Sequence, residues 1–331
     1  MGAVVVWGQE IGTTPAGNFI AVAGGDDHAL ALRSDGTLVG WGRNDSGQAT
    51  VPTGTFKAVS TKFRTSVGLR TDGTIAQWGL NFGGSGAVPL PTASNFVSVS
   101  CGEIFGVAID DQGDLVAWGD PTFGGTNVAW LNATWDPFRA VAAGSKWGIA
   151  IGSTGYVHHW GENLYNQANV PNVQVVQIAA GDSHAAAIGQ DGQLYVWGNN
   201  TYGQWGTSVF PTDRTWQRVF CGAWTTYAID NNGNVFAAGW STKGELNVPT
   251  GNWAIIQGGW HHVVGVQTTQ CYANCDNSLE TPTLTAADFV CFSARFAAGD
   301  TYANCDNSTT VPILSVNDFY CFANKYAIGC T

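Results

Sequence analysis

Short apolar segments of alternating pattern, with no long stretch of helical period, make up the first 268 residues. In the first repeat, Ala-Leu-Ala-Leu at 29–32 and Thr-Leu-Val-Gly-Trp at 37–41 flank the dipeptide Asp35-Gly36. Two such segments joined by Asp-Gly predict a β-hairpin, because tight primed turns need positive φ at their central positions. Apolar segments further ahead, such as 19–22 and 138–141, predict one more strand per repeat. We therefore expect residues 3–267 to be all-β.

The dipeptide Trp-Gly returns six times at intervals of 34 to 42 residues, which indicates a repeated structural unit. Thirteen residues before each of the last five of these Trp residues lies a position that we call the anchor, and eight residues after each of the first six anchors lies a glycine. This spacing is constant, whereas the distance from the Trp to the next anchor varies between 21 and 29 residues, as expected for packed units with exchangeable loops. The anchors are His28, Thr65, Phe105, Trp147, His184, Thr225 and His262, and the Trp positions are Trp41, Trp78, Trp118, Trp160, Trp197 and Ala238, with Trp7 left over at the start.

The two ends of this repeat region complement each other. The seventh anchor, His262, has no Trp strand after it, whereas the apolar segment around Val4–Trp7 has no anchor before it. Pairing the two closes a ring of seven blades and leaves no terminal edge strand unprotected. An open solenoid would need polar caps, which neither end supplies. The sequence thus predicts a seven-bladed β-propeller over residues 1–268, closed by its N-terminal strand.

Three segments carry a family resemblance. Gly-Arg-Asn-Asp-Ser-Gly-Gln at 42–48 and Gly-Asn-Asn-Thr-Tyr-Gly-Gln at 198–204 follow a Trp, and Ala-Gly-Asp-Ser-His-Ala at 180–185 precedes a strand. They resemble the repeat of the regulator of chromosome condensation family, whose members are seven-bladed propellers. Family members range from a nuclear exchange factor to a bacterial inhibitor of β-lactamase, so the resemblance implies a fold and not a function.

Charge and cysteine content narrow the setting. A net charge of −11 with only 13 Lys and Arg argues against nucleic acid as a partner, and no apolar stretch is long enough for membrane insertion. Six of the eight cysteines lie beyond residue 270, which indicates a disulfide-rich module in an oxidising compartment. We expect an extracellular or cell-surface protein whose signal peptide has been removed. Cys101 and Cys221 share a repeat position and are expected to be buried small residues.

Residues 269–331 contain a second tandem repeat, at 272–299 and 302–329. Each copy begins with Tyr-Ala-Asn-Cys-Asp-Asn-Ser and continues into a short segment with Phe at i and i+3, the apolar face of a helix. Oxygen-bearing residues at alternate positions before a helix are typical of a calcium loop, although Asx-rich turns capping two helices would have a similar pattern. Among the fifteen possible disulfide pairings, the repeat symmetry favours Cys275–Cys291 and Cys305–Cys321, which leaves Cys271–Cys330.

This tandem repeat resembles a dockerin, in particular the cysteine-bearing type at the C-termini of planctomycete surface proteins. The resemblance implies Ca²⁺ as the cofactor, with no organic cofactor, and a cohesin-like or envelope partner for the tail. Asn replaces Asp at the first ligand position, and about four extra residues interrupt each loop. The ligands that the resemblance implies are Asn274, Asp276, Ser278, Thr285 and Asp288 in the first loop, and Asn304, Asp306, Ser308, Ser315 and Asp318 in the second.

Strand parity places the anchor turns and the loops after Trp-Gly on one face of the propeller, opposite the Asp-Gly turns. Aromatic and basic side chains on this face are of the kind enriched in protein interfaces, and we expect a protein partner there. The residues expected on this partner-binding face are Phe63, Arg64, Phe82, Ile104, Lys146, Tyr165, Tyr202, Trp205, Trp224, Trp260 and His261.

The sequence carries no Ser-His-Asp order, phosphate loop or paired carboxylate with a reason to be catalytic. The anchor histidines share their position with Thr, Phe and Trp, so we expect them to bond the backbone of a neighbouring blade. We therefore predict a non-catalytic recognition or scaffold protein. A self-assembling surface-layer or filament component is one alternative, and a polysaccharide-acting enzyme or carbohydrate-binding propeller is the other.

Overall fold

The computed structural model describes residues 2–83, 86–133 and 136–268, which form seven antiparallel sheets of three strands each. Blade 1 consists of β2 (Ala21–Gly24), β3 (His28–Leu32) and β4 (Leu38–Gly42), blade 2 of β5 (Phe56–Lys62), β6 (Thr65–Arg70) and β7 (Ile75–Gly79), blade 3 of β8 (Phe96–Cys101), β9 (Phe105–Asp110) and β10 (Leu115–Gly119), and blade 4 of β11 (Phe138–Ala143), β12 (Trp147–Gly152) and β13 (Val157–Gly161). Blade 5 consists of β14 (Val175–Ala180), β15 (His184–Gly189) and β16 (Leu194–Gly198), blade 6 of β17 (Trp216–Cys221), β18 (Thr225–Asp230) and β19 (Val235–Gly239), and blade 7 of β20 (Asn252–Gly258), β21 (His262–Thr268) and the N-terminal β1 (Ala3–Gly8).

The ring closes as the sequence predicts. Strand β1 pairs antiparallel with β21, with Val4 opposite Val266 and Trp7 opposite Val263. The first strand of each blade packs against the first strand of the next blade, and β20 packs against β2. The first strands therefore surround a common axis, and the all-β prediction for this region is confirmed apart from a single helical turn, α1 (Ala129–Asn132).

The glycine after each Trp position is required by geometry. At all seven sites its φ is positive, from 83° at Gly8 to 120° at Gly239, a region that side-chain-bearing residues avoid. A Cβ there would lie 2.2–2.7 Å from the carbonyl oxygen of the residue just before an anchor. The residue after the glycine donates its N–H to that same carbonyl, as Trp240 does to Trp224 at 3.1 Å. These contacts hold the anchor turns and the following loops on one face, as predicted.

The Trp side chains connect neighbouring blades. Trp197 is buried, and its indole N–H donates to the Gln167 carbonyl in the preceding loop at 2.9 Å. Trp78 bonds Gln48 in the same way, and Trp7 of the closing strand bonds Glu245. Each of these bonds joins a blade to the loop of the blade before it, so the Trp contributes a buried hydrogen bond as well as apolar area.

Two local predictions need correction. The Asp-Gly turn of blade 1 is not a two-residue primed turn, because only Gly36 has positive φ there. The turn spans Arg33 to Gly36, and its last residue, Gly36, is the one in the left-handed region. The first strand of blade 1 begins at Ala21 rather than at 19, since Phe19 forms an isolated bridge with Gly2 instead.

Candidate recognition face

Four of the seven neighbouring pairs of anchor turns are joined by the same backbone hydrogen bond. In this bond, the backbone N–H of the residue two positions before an anchor donates to the carbonyl of the equivalent residue in the next blade. Asp26 donates to Phe63 at 3.0 Å, and Asp182 donates to Ala223 at 2.9 Å. Glu103 donates to Ser145, and Ser145 to Asp182, in the same arrangement. We call the seven residues at this position the axial ring: Asp26, Phe63, Glu103, Ser145, Asp182, Ala223 and Trp260.

One ion pair crosses this ring. Six units have glycine three residues before the anchor, and the second unit has Lys62 instead. The Lys62 ammonium lies 2.6 Å from the carboxylate of Asp182, with side-chain exposures of 16% and 27%. Lys62 belongs to blade 2 and Asp182 to blade 5, which is as far apart as two blades of seven can be, so the pair spans the axis. The turn after Lys62 contains Phe63 at a φ of 52°, an unusual conformation for phenylalanine.

Acidic groups surround this ion pair. Burial, together with the nearby carboxylates of Asp182, Asp27 and Glu103, raises the pKa of Asp26 from 3.8 to about 7 against the opposing effect of Lys62. The Ser145 hydroxyl donates to the Glu103 carboxylate. Asp26 thus interacts with charges from three other blades, and the Asp27 carboxylate lies 3.4 Å from the Arg43 guanidinium.

Five side chains from blades 5 to 7 form what we call the aromatic cluster: Tyr202, Trp224, Trp240, Trp260 and His261. The Trp224 ring centroid lies 4.8 Å from that of Trp240 and 5.7 Å from that of Trp260. Tyr202 packs against both Trp224 and Trp240, and His261 stacks on Trp260 with 9° between the ring planes. Tyr202 and Trp260 are 46% and 40% exposed, so the cluster is accessible from solvent.

Backbone geometry brings this cluster together. Trp224 and His261 both directly precede an anchor. Trp240 follows the positive-φ Gly239, and its own backbone N–H donates to the Trp224 carbonyl. Trp240 was not among the residues predicted for this face. Behind the cluster, the His261 imidazole lies 3.5 Å from the buried carboxylate of Glu245. Although burial opposes ionisation of Glu245, hydrogen bonds from backbone N–H groups and from Ser241 hold its pKa below the usual value.

The other residues expected on the partner-binding face differ in their contacts and exposure. Arg64 lies over the Phe63 ring at 5.5 Å, and Lys146 lies over the ring of Phe123 at 4.4 Å. Tyr165 and Trp205 are exposed in their loops, whereas Ile104 packs partly against the core between blades 3 and 4. The expectation for Phe82 is wrong: it packs in the core of blades 2 and 3, below Gly119, where a partner has no access.

His28 and His184 bond neighbouring blades, through hydroxyl groups where the sequence predicted backbone. The His28 ring lies 3.0 Å from the Ser66 hydroxyl in blade 2, and the His184 ring lies 3.1 Å from the Thr226 hydroxyl in blade 6. Burial lowers the pKa of each to about 4, so both are neutral at pH 7. Cys101 and Cys221 are buried free thiols, as expected, and burial raises the pKa of each to about 12.

Within residues 2–83, 86–133 and 136–268, no group of three or more His, Cys, Asp or Glu side chains is arranged to hold a metal ion. The same part of the chain has no helix long and apolar enough to cross a membrane. The calcium ligands expected at Asn274, Asp276, Ser278, Thr285, Asp288, Asn304, Asp306, Ser308, Ser315 and Asp318 lie outside the described residues, as do the disulfides expected for Cys271, Cys275, Cys291, Cys305, Cys321 and Cys330.

Two segments of the chain, residues 19–48 and 175–204, match the model of the Regulator of chromosome condensation (RCC1) repeat. These two segments are therefore similar to the RCC1 repeat. Both segments run from the apolar residue ahead of an anchor to the Gln of the loop after Trp-Gly, so each includes one anchor turn. No curated protein matches the chain.

Solved structures with the same fold are distant in sequence. Prp20p from Saccharomyces cerevisiae, whose structure was described with its binding to Gsp1p and histones, is 18% identical with a TM-score of 0.66, covering 81% of this chain and 92% of its own. Human WBSCR16 is 17% identical with a TM-score of 0.65, and the match covers 76% of this chain and 87% of WBSCR16. The ectodomain of the Physcomitrella patens receptor kinase CR4 is 16% identical with a TM-score of 0.62, and the match covers 77% of this chain and 71% of the ectodomain. At this level of identity the likeness concerns the fold alone.

Proposed function

We propose that this RCC1-type propeller is a non-catalytic recognition protein that binds a protein partner through the aromatic cluster. The observation that carries the proposal is the contiguity of Tyr202, Trp224, Trp240, Trp260 and His261 on one face. Tryptophan and tyrosine dominate the binding energy of protein interfaces, because they bury a large area at low entropic cost.

The geometry supports recognition rather than chemistry. The cluster rests on anchor turns that are bonded into the ring and on a buried layer that includes Glu245, so its side chains are held in place before a partner arrives. The buried anchor histidines and thiols face the interior of the blades, away from solvent. A yeast protein with this fold, Prp20, was described with Kap60 bound to it, which is consistent with protein recognition by a chain of this fold.

The test is capture of a partner from the envelope fraction of the source organism, followed by affinity measurement with the purified partner. We expect Trp224→Ala together with Trp260→Ala to weaken binding at least about 100-fold, the loss that two interface hot spots produce. The matched control is Tyr156→Ala, an exposed aromatic of 43% exposure beside the turn at Gly155 on the opposite face.

Circular dichroism would first establish that the double variant folds. A partner that binds the double variant as tightly as the wild-type chain would overturn the proposal. Two other outcomes favour the alternatives. Large assemblies of the purified chain on size-exclusion chromatography would favour a surface-layer or filament component, and saturable binding of a polysaccharide lost in the Trp variant would favour a carbohydrate-binding propeller.

We also propose that residues 269–331 anchor the propeller outside the cell through calcium loops and a cohesin-like or envelope partner. The support is the tandem repeat and its cysteine content, and each loop offers only two carboxylates, so we expect a Kd of roughly 10⁻⁴ to 10⁻³ M for Ca²⁺. Calcium titration of the full chain by calorimetry, with Asp288→Asn and Asp318→Asn as the variants, tests the loops. Mass spectrometry of an unreduced digest tests the pairs Cys275–Cys291, Cys305–Cys321 and Cys271–Cys330.

A further inference from the structure

We propose that the axial ring next to the aromatic cluster receives a basic side chain, Lys or Arg, from an exposed segment of the protein partner. This inference rests on the proposed recognition function and adds the chemistry of the partner. The basic group would lie over the carboxylates of Asp26 and Glu103, while neighbouring residues of the same segment pack on Trp260 and Trp224.

Negative charge among the axial-ring residues favours binding of a cation. Asp26, Asp182 and Glu103 are axial-ring residues from blades 1, 5 and 3, and Asp27 lies beside them. Lys62 is the cation that lowers the pKa of Asp26, but its ammonium already contacts Asp182 at 2.6 Å. Arg43 is engaged with Asp27 and with Asp45. The carboxylates of Asp26 and Glu103 therefore remain as the negative groups available to a ligand.

Ionisation of the Asp26 carboxyl is unfavourable in the free protein. Burial and three neighbouring acids disfavour its charge, as its pKa of about 7 reflects. A ligand cation beside Asp26 would oppose the effect of the neighbouring acids and stabilise the carboxylate. Strained electrostatics of this kind are common where a protein binds a charged group, because the complementary charge arrives with the ligand.

The aromatic cluster adjoins these acidic residues. Trp260 is itself an axial-ring residue, and a Cβ placed on Gly259 would lie 2.2 Å from the Gly25 carbonyl oxygen, so the turns of blades 7 and 1 are in contact. Asp26 follows Gly25 directly. A guanidinium or ammonium near Asp26 therefore lies within reach of the exposed Trp260 indole, which can add a cation–π contribution.

The experiment uses a random dodecapeptide library displayed on phage and selected on the immobilised full chain at about pH 8 and low salt. The enriched peptides are then measured by biolayer interferometry against Asp26→Asn with Glu103→Gln, and against Trp224→Ala with Trp260→Ala. The charge control is Asp35→Asn with Asp72→Asn, which removes two carboxylates from the exposed turns on the opposite face.

We expect the enriched peptides to contain at least one Lys or Arg, and their affinity to fall about tenfold or more in the Asp26/Glu103 variant and at about 0.5 M NaCl, but not in the charge control. Peptides without a basic residue, peptides unaffected by the Asp26/Glu103 variant, or no enrichment over a blank surface would each overturn the proposal. Peptides that lose affinity in the Trp variant alone would leave the recognition face standing and remove only the basic side chain.

Discussion

Asp26 provides a test of the electrostatics at the axial ring that needs no partner. Its folded pKa of about 7 lies above the ordinary value of 3.8, so between these values the folded state holds a proton that the unfolded state has lost. Stability contributed by the protonated carboxyl is therefore lost as pH rises towards 7. Asn keeps the shape and cannot ionise, so Asp26→Asn is expected to be the more stable protein at alkaline pH.

The magnitude follows from the shift. One pKa unit corresponds to about 1.4 kcal/mol, so the full shift sets an upper limit of roughly 4 kcal/mol. About two pH units of the range from 3.8 to 7 lie above pH 5, so only this part of the shift changes stability between pH 5 and pH 8.5. Partial solvent screening of Asp26 reduces the resulting change in the free energy of unfolding to about 1 kcal/mol. The buried anchor histidines, with a pKa of about 4, change stability in the opposite direction, because the unfolded state binds their protons more readily. We therefore compare Asp26→Asn with the wild-type chain, in which this contribution cancels.

The assay is urea unfolding of both proteins, followed by tryptophan fluorescence at about pH 5 and about pH 8.5. We expect the stability advantage of Asp26→Asn to grow by about 1 kcal/mol between the two pH values. The control Asp72→Asn removes an exposed carboxyl whose pKa is lowered by hydrogen bonds from Thr74, so its difference from wild type stays constant over this range. An advantage of Asp26→Asn that does not change with pH would refute the account of the axial ring.

Three further predictions follow from the packing. Trp197→Ala removes a buried indole and its bond to Gln167, and is expected to lower the free energy of unfolding by about 3–5 kcal/mol in urea, with Tyr156→Ala changing it by less than about 0.5. Gly239→Ala and Gly203→Ala both place a side chain at positive φ, which costs each variant about 1 kcal/mol. Only the Cβ at position 239 would also meet a carbonyl oxygen, at 2.2 Å, so calorimetry should show a clearly lower Tm for Gly239→Ala. Equal Tm values for the two variants would contradict this close contact. Lys62→Met leaves Asp182 and Asp26 without their cation, so its loss of stability in urea should be larger at about pH 8.5 than at about pH 5, and Lys62→Arg should restore most of it.

The ring could be predicted from sequence because its contacts repeat. His262 lacks a following strand and Trp7 lacks a preceding anchor, so counting alone indicates that the two pair. The constant spacing within a unit reflects one repeated arrangement, in which a positive-φ glycine approaches the carbonyl of the residue before the anchor. The face on which these turns lie follows from strand parity.

The recognition face was only partly predictable, because it depends on contacts between blades. Trp240 joins Trp224 through a bond between a loop and an anchor turn, and nothing in the local pattern indicates that two such residues touch. Phe82 is buried because its loop folds back over Gly119, and loop paths have no periodicity from which burial could be inferred. Lys62 did leave a signal, since it is the one non-glycine at its repeat position, but its partner Asp182 lies 120 residues away in sequence.

Hydrogen exchange of the full chain, with and without a bound protein partner, tests the proposed recognition role of the aromatic cluster most directly. We predict slower exchange in the anchor turns of blades 6 and 7, around Trp224 and Trp260, and in the loop that begins at Trp240, because these segments carry the aromatic cluster. Slower exchange at the opposite turns, around Gly36, Gly155 and Gly233, with no change at the aromatic cluster, would contradict the account.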